Sequence, residues 1–331
     1  MRHFPLFGLL ALLAPTGPLL AQAAECDALA GFAGNQRAAG AATAYGITDP
    51  QAAVDACTAA LAEAPGDATL ALRLARARLA LNNDDPEALV LLLDARNGQR
   101  ALADWMIGQL YEYGLAGLPF SERQARDVYT AVCSHFWPAP EGAPACSSLA
   151  VMRIEGRGGP VDQTGGFNLL HNLCNGGWGP ACTEAAFQTE LRGDGDPARI
   201  AALFEAGCTA GDLLACSQFG FRLELGEGVA RDIQRAAALY RRACDGGEGQ
   251  GCSNLGEIYR SGLGVRPDMD QAIRLFELGC AGHDSYACVT LGDIFEGGRG
   301  VARDLGRALV LFEAACTLGD PEGCDRADAL H

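Results

Sequence analysis

The sequence predicts an all-α repeat protein of stacked helix pairs, and three observations carry that expectation. Cysteines recur as Cys174/Cys182, Cys208/Cys216, Cys244/Cys252, Cys280/Cys288 and Cys316/Cys324, each pair eight positions apart, and the second members step by 34, 36, 36 and 36 residues. A sixth pair, Cys133/Cys146, keeps the beat at a spacing of thirteen. Between the pairs, apolar residues recur at i, i+3, i+4, the stripe of an amphipathic helix, and glycine-rich turns separate one stripe from the next. A fixed period of this length marks units that bury their apolar faces only against one another.

In chain order, residues 1–23 read as a secretory signal: Arg2 and His3, an apolar stretch from Leu6 to Leu20, then Ala21-Gln22-Ala23 as a small-x-small cleavage site. Pro15, Gly17 and Pro18 interrupt the apolar stretch, which is too short for a membrane span. Cys26 follows closely, but Glu25 before it departs from a lipobox. Residues 24–46 are Ala/Gly-rich, with weak order expected. Residues 47–98 hold a helix pair over Pro50–Asn82, turned at Pro65-Gly66-Asp67, and a further helix over Asp84–Asn97. Six units then start near Ala101, Ala145, Ala181, Ala215, Gly251 and Ala287, and Gly323–His331 forms a truncated last helix.

Residues 251–285 show the unit most clearly. Leu255, Ile258 and Tyr259 stripe helix A, and Ser261-Gly262-Leu263-Gly264 stops it, because glycine takes the left-handed conformation that closes a helix. Asp268 is the N-cap of helix B, whose stripe is Ala272, Leu275, Phe276 and Gly279, and Gly282 ends it. Gly256 and its counterparts Gly108, Gly220 and Gly292 sit inside helix A. Each costs about 1 kcal/mol relative to alanine there, so a close approach of a facing helix is the expected compensation. The unit at Ala181 has a turn two residues shorter, Arg192-Gly193-Asp194-Gly195-Asp196, whose acids read as a helix cap.

The first cysteine of each pair ends helix B and the second opens the next helix A. The short link makes the two helices antiparallel neighbours, with Cα atoms about 5–6 Å apart, within reach of a disulfide. Each closed loop of nine residues stabilises by about 2–3 kcal/mol on the chain-entropy account. Cys26 and Cys57 remain and make the count of fourteen even when paired. Metal binding needs Cys-x2-Cys spacing or nearby histidines, and redox catalysis needs Cys-x-x-Cys; the sequence has neither pattern. No metal and no cofactor are expected. Paired cysteines point to an oxidising compartment, periplasmic or secreted.

The pattern A/G-C-x-x-L-G-x-x-Y-x-x-G-x-G-V-x-x-D, followed by A-x-x-L-Y/F-x-x-A/G-C-x-x-G-D, resembles the Sel1-like repeat over residues 99–331. Its Cys-x7-Cys junction resembles the cysteine-rich, HcpB-like bacterial subgroup. The pair at Pro50–Asn82 looks more like a tetratricopeptide unit. The resemblance implies an α/α solenoid curved into a right-handed superhelix, helix A lining the concave side, and a protein-binding adaptor. Some cysteine-rich relatives are also linked to penicillin binding and β-lactam hydrolysis, which makes β-lactam or peptidoglycan-fragment binding the alternative.

The chemistry of the residues favours the adaptor. The formal charge of −16 disfavours nucleic acid or anionic membrane as partner. The chain contains no lysine; all 25 basic residues are arginine. That excludes a Ser-x-x-Lys nucleophile, a Schiff base and a Gly-Lys-Ser/Thr phosphate loop. A metallo-β-lactamase needs a cluster such as His-x-His-x-Asp, also absent, so no catalytic residue is assigned.

What remains is surface, and with the Leu-Gly dipeptide of helix A as register mark, two sets of positions face the concave groove. Two beyond the Leu are Gln109, Val151, Phe187, Phe221, Glu257 and Asp293; five beyond it are Glu112, Ile154, Glu190, Glu224, Arg260 and Glu296. Trp105 and Tyr286 are placed on the same wall. The expected partner is another protein or peptide.

Overall fold

The computed structural model describes residues 18–30, 47, 49–193 and 195–331. Among them sixteen α-helices follow one another with no strand: α1 (Pro18–Ala30), α2 (Pro50–Glu63), α3 (Ala68–Leu81), α4 (Pro86–Tyr113), α5 (Glu122–Phe136), α6 (Ala143–Glu155), α7 (Gln163–Asn175), α8 (Gly179–Arg192), α9 (Pro197–Thr209), α10 (Leu213–Leu225), α11 (Ile233–Asp245), α12 (Gly249–Ser261), α13 (Met269–Ala281), α14 (Ser285–Gly297), α15 (Leu305–Thr317) and α16 (Pro321–Leu330). No helix among the described residues is long and apolar enough to cross a membrane.

The helices begin and end for local reasons. Aspartates cap most N-termini; Asp268 Oδ1 accepts from the Gln271 N–H at 2.9 Å, and Asp196 caps α9 through the Ala198 N–H at 3.0 Å. Asp194, the other acid of that short turn, lies outside the described residues. Glycines close α4, α6, α8, α10, α12 and α14 in the left-handed conformation, Gly262 at φ 74° among them. The second glycine of the turn is needed twice over: Gly228 has φ 71°, and a Cβ there would lie 2.2 Å from the Pro197 carbonyl oxygen.

The glycines inside the inner helices do what their cost suggests. A Cβ on Gly108 would lie 2.3 Å from the Tyr129 ring, on Gly220 2.7 Å from Tyr240, on Gly256 3.0 Å from Phe276 and on Gly292 2.5 Å from Phe312. Each is the socket for the buried aromatic ring of the following helix B.

Alternate helices α4, α6, α8, α10, α12, α14 and α16 each pack on the next member of that series, whereas α5, α7, α9, α11, α13 and α15 show no comparable stacking among themselves. A double row spaced more closely on one side curves towards that side. The first row therefore lines the concave wall, and the second forms the outer layer.

All fourteen cysteines are bonded, and every expected pair is present: Cys26–Cys57, Cys133–Cys146, Cys174–Cys182, Cys208–Cys216, Cys244–Cys252, Cys280–Cys288 and Cys316–Cys324. Two details of the junction are corrected. The second cysteines do not open their helices: Cys146, Cys182, Cys216, Cys252, Cys288 and Cys324 each stand one turn in, at the fourth position of α6, α8, α10, α12, α14 and α16. The N-cap and the first turn precede them, so the thiol faces back towards the outer helix rather than into the link. The Cα separations, 4.5–4.8 Å, accordingly lie below the expected 5–6 Å, because the bridge joins two packed helix faces and not two loose ends.

One expectation at the N-terminal end is also corrected. Residues 24–30 are not weakly ordered: they belong to α1, which Cys26 ties to α2 and an ion pair from Asp27 ties to Arg73 on α3. The buried Arg76 guanidinium also donates to the Ala30 carbonyl at 2.6 Å. The rest of the stretch expected to be weakly ordered, residues 31–46, lies outside the described residues. The helix expected over Asp84–Asn97 meets helix A of the first unit without a loop: the span Pro86–Tyr113 is broken at Gln99, whose backbone is non-helical (φ −122°, ψ 40°), close to the expected boundary.

Candidate functional site: the concave wall

The exposed side of each inner helix is one stripe. On α10 it is Gln218, Phe221 and Leu225; on α8 Glu184, Phe187 and Leu191; on α12 Asn254, Glu257 and Ser261; on α14 Tyr286, Thr290 and Asp293; on α6 Ser148, Val151 and Glu155. These positions are spaced by three or four residues, as one helix face requires. Val151, Phe187, Phe221, Glu257 and Asp293, two beyond the register position held by Leu149, Ala185, Phe219, Leu255 and Leu291, therefore all lie on the wall and are at least partly exposed. In the middle of the wall the stripe is apolar: Leu191 is 77% exposed, Leu225 49% and Phe221 40%. Phe187 is half-buried, its ring edge-on to Phe204 at 5.3 Å.

The set five beyond the leucine behaves differently. Ile154 is buried against Gly166 of α7, and Glu112 is buried, accepting from Tyr129 Oη at 2.7 Å. Glu224 accepts from Tyr240 Oη at 2.8 Å. Burial pushes the pKa of both tyrosines up, and the neighbouring glutamate pushes the same way. Glu190 and Glu296 pair with Arg222 and Arg326 of the next inner helix, and Arg260 folds back onto Glu257 at 2.7 Å. Trp105 and Gln109 are also buried, so with Glu112 and Ile154 they are corrected from open groove positions to the floor or flank of the wall. The open stripe continues six beyond the leucine, at Tyr113, Glu155, Leu191, Leu225 and Ser261. The 3.6-residue turn allows either continuation, and helix B occupies the side that the fifth position points to.

A second feature runs beneath the wall. The hydroxyl following the second cysteine, on Thr183, Ser217 and Ser253, donates to Asp212, Glu248 and Asp284, the N-cap residues of the next inner helices. Val289 interrupts the series, and Ser285 supplies the hydroxyl to Asp320 at 3.0 Å instead. Burial raises the pKa of Asp212, Glu248 and Asp284, while the hydroxyl and backbone N–H groups oppose it. This ladder joins residues 29–35 apart in sequence, and its signal is the Ser/Thr after the cysteine together with the acid that ends the motif.

Two concavities open on the wall. One, of ≈ 250 Å³, lies at the C-terminal end, where Tyr286 Oη donates to Glu257 at 2.9 Å beside Arg260 and Asp293. The other, of ≈ 190 Å³, spans α4, α6 and α8, with Trp105, Gln109 and Glu112 at its floor and Val151 and Glu184 at its sides. Trp105 Nε1 donates to Ser148 Oγ at 3.1 Å. Among the described residues no three metal-ligating side chains are gathered at one point.

Comparison with known proteins matches this architecture. The Sel1 repeat family model matches residues 101–127, 214–248, 249–284 and 285–320. The units at Ala145 and Ala181, with their long cysteine link and short turn, fall outside the matches yet fold as the same helix pairs. No curated protein matches the chain. Among solved structures it is similar to a protective antigen of uropathogenic Escherichia coli displaying an SLR fold (24% identity, TM-score 0.51), covering 84% of this chain but only 59% of that protein. It is also similar to a Sel1 repeat protein from Oxalobacter formigenes (20% identity, TM-score 0.56, 76% of this chain and 96% of that one). A third is an immunity protein from Pseudomonas aeruginosa (14% identity, TM-score 0.50, 68% of this chain and 84% of that one). At these identities the likeness is one of fold.

Proposed function

We propose that the chain, which carries Sel1 repeats at residues 101–127 and 214–320, is a non-catalytic scaffold, exported through its N-terminal signal to the periplasm or beyond, that holds another protein along its concave wall. One observation carries the reading. Leu191 on α8 and Phe221 and Leu225 on α10 are exposed on two adjacent inner helices, in a chain that buries the rings of Tyr129, Phe204, Tyr240, Phe276 and Phe312 completely. Contiguous apolar surface of this kind marks a protein interaction site. Seven disulfides, with no free thiol, support an oxidising compartment. The lack of any lysine supports a non-catalytic role against the Ser-x-x-Lys route to β-lactam hydrolysis.

Glu190, Glu224 and Glu257 are engaged within the chain, so they frame the apolar strip rather than anchor a partner. The test is capture of crosslinked partners from the envelope fraction. Phe221→Ser with Leu225→Ser should remove the specific partner while lowering the melting temperature little, as loss of interface anchors does. Leu255→Ser with Phe276→Ser should unfold the repeat, each buried deletion costing about 2–5 kcal/mol. Full capture by a correctly folded Phe221/Leu225 variant would sink the proposal.

A further inference from the structure

We infer that the ≈ 190 Å³ pocket across α4, α6 and α8 receives a primary ammonium group, the side-chain terminus of a lysine carried by the bound protein. The inference rests on the proposed partner-binding role of the wall and names the chemistry of one contact.

Gln109 is only 2% exposed, lines this pocket, and its Oε1 accepts no hydrogen bond. A buried acceptor left unmet is uncommon enough to require an account, because its desolvation goes uncompensated. A donor from a bound group supplies one. The second observation is charge. Glu184 reaches the same pocket from α8, and its polar neighbour there is the amide of Gln188, which donates to it at 3.0 Å. Burial raises the Glu184 pKa, the Gln188 amide opposes that rise and Glu155 adds to it, so a cation entering the pocket would be favoured beside this carboxylate. Arg157, the cation that lines the pocket, is spent on Glu112, Glu122 and Glu155.

The pocket thus offers an unmet acceptor and a carboxylate bonded to a neutral amide, beside the rings of Trp105 and Tyr113. That set suits an ammonium on an apolar stem: the head takes the oxygens and the aromatic faces, and the methylenes run along Val151. A guanidinium is broader and planar, and suits a flat bidentate carboxylate better. The chain has no lysine, so neither its own side chains nor those of a second copy compete for the site.

The test uses the oxidised full-length mature protein and four probes: an uncharged Gly/Ser pentapeptide with a central lysine, the same peptide with N-ε-acetyl-lysine, the same with arginine, and n-butylamine. Binding is read by calorimetry and by the indole N–H resonance of Trp105. The lysine peptide should bind and shift that resonance; acetylation should weaken it at least tenfold, and arginine should bind more weakly than lysine. Gln109→Leu and Glu184→Gln should each weaken the lysine peptide at least tenfold with the melting temperature held, and Gln109→Glu should tighten it. Equal binding of the acetylated peptide, or none of the lysine peptide, overturns the inference. Binding by n-butylamine as tight as by the peptide assigns the site to free amines and overturns the lysine source. If Gln109→Leu with Glu184→Gln captures the partner normally while the Phe221/Leu225 variant loses it, the scaffold reading stands and the ammonium contact falls. Lysine-peptide binding with capture unaffected by any wall variant keeps the ammonium site and removes the scaffold reading.

Discussion

At five of the six junctions between an outer helix and the next inner one, all but the α5–α6 link, a single residue turns the chain through the left-handed region. Gly177, Gly211, Gly247 and Gly319 fill that place in four junctions, with φ between 86° and 93°. In the fifth it is His283, at φ 64°. A side chain with a Cβ loses roughly 1 kcal/mol or more in this conformation. His283→Gly should therefore raise stability by about 0.5–1 kcal/mol, read as an increase in the denaturant midpoint at unchanged slope. A decrease would show that contacts of the imidazole outweigh the backbone strain. Legibility in the sequence is uneven at this scale, for a physical reason. Counting from the buried register residue, Phe219 in α10 and Ala185 in α8, fixes one face of the helix, and that puts Phe221 and Phe187 on the wall. The same count misplaces Ile154 and Glu112, because three or four residues further on are equally compatible with a 3.6-residue turn, and only the position of helix B separates them. The hydroxyl ladder is invisible in a single repeat, since Ser217 and Glu248 meet only once two repeats are stacked.

The helices themselves, and the bridges between them, are far more legible. Stripe, glycine stop and aspartate cap agree at nearly every repeat from Ala101 onward, and agreement across independent local signals is what specifies an element. The join inside α4 is legible as well: Asn97-Gly98 reads as a stop, and the helical backbone is broken at Gln99. The bridges differ in what they constrain. Cys280–Cys288 closes eight positions and Cys26–Cys57 thirty-one. On the chain-entropy account, removing the first costs about 2.6 kcal/mol and the second about 3.7 kcal/mol. Paired Cys→Ser variants measured by chemical denaturation should reproduce that order. A larger loss at Cys280–Cys288 would mean that the junction bridge supports native packing directly, beyond its effect on the unfolded chain.

Over the whole molecule, stability should be as one-dimensional as the architecture. Most buried apolar residues from α1 through α12, with Leu275 of α13, form one core, while Phe276, Leu291, Ile294 and Phe312 belong to a second cluster over α13–α16, and Tyr259 packs against both. In a stack of repeats each unit answers only to its neighbours. Phe312→Ala, a loss of about 3–5 kcal/mol, should accelerate amide hydrogen exchange in α14–α16 and leave α8–α10 protected. Uniform acceleration along the chain would instead reveal a single cooperative unit.

The seven bridges share a property that concerns synthesis rather than the finished protein. Each cysteine is bonded to the next cysteine along the chain: 26 to 57, 133 to 146, 174 to 182, and so on to 316 with 324. A polypeptide entering an oxidising compartment amino-terminus first presents its thiols in that same order. The nearest available partner is then always the native one, and an oxidant that joins thiols as they emerge makes no wrong bond. Shuffling of mispaired bonds, the slow step in many disulfide-rich proteins, has nothing to correct. The arrangement lets fourteen cysteines mature with a thiol oxidase alone, each repeat sealed before the following one has emerged.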